Sequence, residues 1–184
     1  MDTQKLERYL DSFGKYVVQQ SRSNLTKGKK NVNKDLYNSI KFEVVSTAEG
    51  LSIKFYMANY GAFVDKGVSG NKKKQSYRNW EGKKVSSPFK YGAKQPPSGI
   101  IEKWISKKGL KGRVDKKWKS AGNRGGQFIS NKSFAFLIAR SIKLKGIKSL
   151  SFFQRPLELG LEKLGEGYLK SLKEDIIKGL TEIK

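Results

Sequence analysis

The 184-residue chain contains neither cysteine nor histidine. These two absences remove disulfides, Cys- or His-ligated zinc, haem ligation, cysteine nucleophiles, Ser-His-Asp triads and imidazole acid–base chemistry. Long hydrophobic runs are also missing. The longest, Phe134 to Ala139, is far short of the ~20 residues a membrane helix needs. The opening Met-Asp-Thr-Gln-Lys-Leu-Glu-Arg is charged and holds no apolar signal segment. The expectation is a chain without membrane contact, made in the cytoplasm. Carboxylates are scarce: 16 Asp and Glu stand against 39 Lys and Arg, a net charge of +23. Self-repulsion on that scale favours a polyanion or an acidic partner at the surface.

Without His or Cys, catalysis is left to Ser-Lys pairs, paired carboxylates and phosphate loops. Ser-x-x-Lys begins at Ser12, Ser69 and Ser87, but three occurrences are what 19 Ser and 32 Lys yield by chance in a chain of this length. Walker and GxGxxG loops are absent, and Asp65 is the only carboxylate between Glu49 and Glu81. Glu174 and Asp175 are adjacent and so diverge on a helix. The sequence assigns no catalytic, cofactor-binding or metal-ligating residue, and the expectation is a non-enzyme without cofactors.

What is present is the material of one domain, residues 1–184, at ~150 residues per domain. Its charge is uneven. Residues 1–65 carry +3, residues 66–126 carry +15 and residues 127–184 carry +5. The middle block also holds Pro88, Pro96 and Pro97, three of the four prolines, and Gly122, Gly125 and Gly126. It reads as a basic, loop-rich insertion at about 66–126.

Around it, periodicity predicts an α+β fold. Leu6, Leu10, Phe13 and Val17 form one stripe of a helix over roughly 3–23, widened by Tyr9 and Tyr16. Ile40, Phe42 and Val44, then Leu51, Ile53, Phe55 and Met57, alternate with more polar residues on either side of Thr47-Ala48-Glu49-Gly50, a β-hairpin pattern. Pro96-Pro97-Ser98 opens a short helix through Ile100, Ile101, Trp104 and Ile105 that Gly109 closes. Asn131 or Ser133 caps a second through Phe134, Leu137, Ile138 and Ile142, ending near Gly146. Ser149 to Phe153 reads as a late strand. Pro156 opens a C-terminal helix with the stripe Leu157, Leu161, Leu164, Tyr168, Leu172 and Ile176.

The basic block interleaves Lys72, Lys73, Lys74, Lys83, Lys84, Lys107, Lys108, Lys116 and Lys117 with Tyr77, Trp80, Phe89, Tyr91 and Trp118. Lysines neutralise phosphates and aromatics stack bases, so non-specific contact with DNA is one expectation. An acidic protein subunit is the other. Lys72, Lys73, Lys74, Lys83 and Lys84 are the candidate contacts for either. No RNP pattern, zinc finger or Arg-rich helix specifies a sequence-reading module.

Tyr60-Gly-Ala-Phe-Val-Asp-Lys-Gly67 follows the helix and hairpin, and Phe152-Phe-Gln-Arg-Pro-Leu-Glu158 precedes the last helix. This order resembles the head–tail joining and tail-completion (neck) proteins of tailed bacteriophages along nearly the whole chain. The family patterns lie close to Tyr-Ala-x-x-Val-Glu-x-Gly-Thr and Pro-Phe-Leu-x-Pro-Ala. Here Asp65 stands for Glu, Val68 for Thr and Phe152 for the first Pro. Pro97-x-x-x-Ile-x-x-Trp104-Ile105 and the Phe134 to Ile147 segment are also similar to longer family members. The resemblance implies a virion structural subunit in a homo-oligomeric ring, with portal, connector or tail proteins as neighbours. It implies Tyr60, Phe63, Asp65, Gly67, Phe153, Arg155 and Pro156 as fold- or interface-defining residues. On the residues alone, the alternative is a non-specific DNA-binding protein of phage or bacterial origin. A salt link between Asp65 and Arg155, within one chain or between two, is a further expectation.

Overall fold

In the computed structural model the chain is an α+β protein that begins with a helix. The structure describes residues 4–30, 33–47, 50–117, 124–165 and 167. The hairpin turn at Ala48 and Glu49, Trp118, Gly122, Glu174, Asp175 and the stripe positions Tyr168, Leu172 and Ile176 lie outside them. The chain divides into two compact units, one of Met1–Gly67, Ser76–Ser86 and Ser149–Lys184, the other of Val68–Gln75 and Ser87–Lys148.

The first unit is organised by α1, Gln4–Lys27. The stripe that begins at Leu6 continues through Ser21 to Leu25, all buried, so the helix runs about a turn beyond residue 23. A short α2, Asp35–Ser39, adds Leu36. Strands β1, Lys41–Thr47, and β2, Gly50–Tyr56, pair antiparallel in the register Phe42↔Phe55, Val44↔Ile53. Period-2 alternation turns one face of this hairpin onto α1. There Phe55 meets Phe13 edge-on, with ring centroids 6.3 Å apart. Glycine at position 14 lets the Phe42 ring of the same hairpin face seat against α1, because a Cβ there would collide with that ring. Leu25, Leu36, Ile40 and Phe152 form the core, with Val18, Met57, Val64, Leu150 and Phe153 packed around it. Burial of each large apolar side chain contributes about 1.5–3 kcal/mol. Strands β4, Ser76–Arg78, and β5, Lys84–Ser86, make a second antiparallel ladder in this unit.

After the hairpin, Gly61–Lys66 forms a short helix, α3. Two expectations are corrected here. Ser149 to Phe153 is not a strand. The Leu150 and Ser151 amides bond to Val64 O and Asp65 O, at 3.1 and 2.9 Å, and Ser151 has φ +46°, which breaks an extended run. The final helix starts at residue 154, before Pro156. Pro156 has no amide to offer the Phe152 carbonyl four residues back, and that oxygen accepts instead from Asn24 Nδ2 at 3.4 Å.

The second unit is a helix pair. In α4, Ser98–Lys108, and α5, Asn131–Lys145, buried Ile101 and Ile105 pack against Ala135 and Ala139. The two alanines keep the helices close. Gly109 closes α4 in the left-handed region, as its position predicts. The cap of α5 is Ser130, one residue before Asn131: its extended backbone lets its side chain accept from the Ser133 amide at 3.2 Å. The late strand of the fold is β6, Gly146–Ile147, which pairs antiparallel with β3, Val68–Ser69. The stretch 66–126 is therefore not loop alone, since it supplies β3, β4, β5 and α4.

Candidate functional site

The two segments that carry the family resemblance meet inside the first unit. Asp65, in the last turn of α3, is 2% exposed. Its Oδ1 accepts the Phe153 amide at 2.8 Å and the Gln154 amide at 3.3 Å. Its backbone oxygen accepts the Ser151 amide and the Ser149 hydroxyl, the latter at 2.6 Å. A carboxylate is thus placed against the first amides of the helix at 154–165, where such a helix lacks internal partners. Burial nevertheless pushes the Asp65 pKa up, and the Phe153 and Gln154 amides, the Gln154 side chain and Lys66 pull the other way.

The surrounding residues lock this junction. Gly67 ends α3 at φ +72°, a conformation that disfavours any side chain. Phe153 packs edge-on against Phe55 at 5.3 Å. Pro156 is fully buried. Gln154 Oε1 accepts the Trp80 amide at 3.0 Å. Glu158, buried four residues on, receives Nε and Nη2 of Arg78 on one oxygen at 2.8 and 2.7 Å. Gln154, Glu158 and Arg78 were not selected from the sequence. The first two lie in the quoted motif, but only three-dimensional structure reveals their partners at residues 78–80.

The expected Asp65–Arg155 link is overturned. Asp65 spends its oxygen on backbone amides and is sealed, whereas Arg155 is exposed. Tyr60 and Phe63 also face outward, 46% and 44% exposed. Asp65, Gly67, Phe153 and Pro156 thus build the junction, while Tyr60, Phe63 and Arg155 form its surface.

Of the basic candidates, Lys72, Lys73 and Lys74 are exposed residues of the second unit; Lys83 and Lys84 are exposed residues of the first. Lys83 meets Glu81 at 3.3 Å. Tyr77 is half-buried and lies under the Lys66 ammonium at 5.8 Å. A further basic feature of the first unit is a cleft of about 1000 Å³ between α1 and β1. Lys15, Arg22, Lys27 and Lys41 line it over an apolar floor that includes Val18 and Phe42, and no carboxylate lines it. Arg22 is fixed there by bonds to the Tyr37 and Ile40 carbonyls at 3.1 and 3.0 Å.

Among the described residues, no group of three or more acidic side chains is arranged to hold a metal ion, and no helix is long and apolar enough to cross a membrane. No protein-family model, curated protein or solved structure matches this chain.

Proposed function

We propose that this chain is a non-catalytic structural subunit of a tailed-bacteriophage virion, in the neck or tail-completion ring between portal and tail. The observation that carries this reading is the Asp65 junction. It joins the two family-like segments across 88 residues of sequence and leaves Tyr60, Phe63 and Arg155 outside. Aromatics and arginine held on a rigid base are the usual anchors of a protein interface. A ring subunit must offer two different surfaces to its neighbours. With Arg22, Lys27 and Lys41 in its lining, Lys15 being paired with Asp11 at 2.6 Å, the α1–β1 cleft suits an acidic segment of an adjoining portal, connector or tail protein.

Gradient-purified particles of the phage that encodes the chain provide the test. The expected result is co-sedimentation with virions in fixed stoichiometry, with native mass spectrometry of the purified protein giving a ring. Recovery only in the soluble lysate overturns the reading. A Tyr60→Ser, Phe63→Ser double variant is expected to stay folded and lose the ring.

A further inference from the structure

The second unit concentrates charge and exposed apolar surface together. Its 70 residues hold 19 Lys and Arg against two carboxylates, Glu102 and Asp115, a net charge of +17. Ile100, Trp104, Leu110, Phe128, Phe136 and Leu137 are nevertheless 39–69% exposed on it. Lysines alone would keep such a unit in solution, so its uncovered rings call for a ligand that offers negative charge and flat apolar faces at once.

The geometry supplies places for both. Arg113 and Phe128 face each other across a short antiparallel bridge held by Val114 N to Gln127 O at 2.9 Å and Ile129 N to Gly112 O at 3.0 Å. The Arg113 guanidinium lies 4.0 Å over the Phe128 ring, and Lys111 Nζ lies 5.7 Å from it. Arg113 also lines a cleft of about 550 Å³ with Lys132, Phe136 and Leu137. The carboxylate in that cleft, Asp115, accepts the Lys117 amide at 2.9 Å.

We propose that this cleft and the Phe128 ring bind single-stranded nucleic acid. One base rests on Phe136 and Leu137 while Arg113 and Lys132 take the flanking phosphates, and a neighbouring base stacks on the Arg113–Phe128 pair. Cations that follow a backbone and aromatics that receive bases are the two components of such sites. A duplex keeps its base faces stacked inside, and a peptide of Asp and Glu alone has charge but no flat ring to offer. The inference stands on the second unit alone and does not depend on the virion reading.

Fluorescence anisotropy of labelled dT20 with the whole protein, repeated over a range of salt, tests it. A 20-base-pair duplex and a polyglutamate competitor are run in parallel. Phe136→Ala and Phe128→Ala are each expected to weaken dT20 binding about tenfold and to leave duplex binding unchanged. Phe136→Tyr is expected to retain it. Arg113→Gln should reduce the slope of log K against log salt by about 0.7, one phosphate contact. Both rings are exposed, so thermal melting should be unaltered; if Phe128→Ala unfolds, the Phe136 pair decides. Wild-type dT20 affinity in Phe136→Ala overturns the proposal, as does polyglutamate competing as well as unlabelled dT20.

Discussion

At Asp65 a buried carboxylate acts as the acceptor for two amides, and its titration exposes the cost of that arrangement. Its native pKa is raised above the ordinary aspartate value of 3.8. The protonated form is therefore favoured by folding. The stability it contributes is fully present below the unfolded value and is lost as pH rises through the raised native value. Asp65→Asn keeps an accepting oxygen without the charge. The stability of the wild type relative to Asp65→Asn is expected to fall across that window and then level off, as read by urea unfolding at a series of pH values. Asp65→Ala leaves the Phe153 and Gln154 amides without an acceptor and should cost about 2–4 kcal/mol at neutral pH. Opposite charge, and a helix N-terminus that gains nothing from a cation, suggested Arg155 as the partner. Side-chain pattern does not reveal which backbone amides face a carboxylate, so the donors that outcompete an arginine were invisible.

Elements with a long, regular period were the legible ones. Leu6, Leu10, Phe13 and Val17 announce α1, and the alternation on either side of the hairpin turn fixes β1 and β2 with the correct face inward. Helix α3 has six residues, too few for a period to show. Leu150, Phe152 and Phe153 imitate a strand because they are apolar, although the Leu150 and Phe153 amides bond to α3, at Val64 O and Asp65 Oδ1. The close seat of α1 on the hairpin gives this scale its prediction. Gly14→Ala gains up to ~1 kcal/mol of helix propensity, but its new methyl meets the Phe42 ring. The expected net effect is a loss of about 1–2 kcal/mol in thermal unfolding, partly recovered when Phe42→Leu is added. Ser130→Ala should cost ~1 kcal/mol by uncapping α5.

Across the whole molecule the charge follows the fold more closely than the sequence blocks suggested. The +15 block ended at residue 126, yet the basic unit runs on through α5 to Lys148 and excludes Lys83 and Lys84. Composition could detect an excess of lysine in the middle of the chain; it could not see that residues 76–86 leave that unit and return. Replacing Lys72, Lys73 and Lys74 with Glu takes the second unit from +17 to +11. These are exposed side chains, so thermal stability should change by less than ~0.5 kcal/mol. Under the proposed function head–tail joining should weaken, and binding to any polyanion should weaken and depend less steeply on salt, because fewer cation contacts remain for salt to screen.

The path of the chain also sets a schedule for its birth on the ribosome. The first unit is gathered from three separated stretches, and Phe153 follows its partner Asp65 by 88 residues. At ~5–20 residues per second, synthesis delivers Phe153 about 4–18 seconds after Asp65. Throughout that interval Leu25, Leu36 and Ile40 have been made but Phe152, which completes their core, has not. A nascent chain stalled before residue 149 therefore carries an open apolar face and is a natural client for chaperones and proteases, until a few more residues of translation close it.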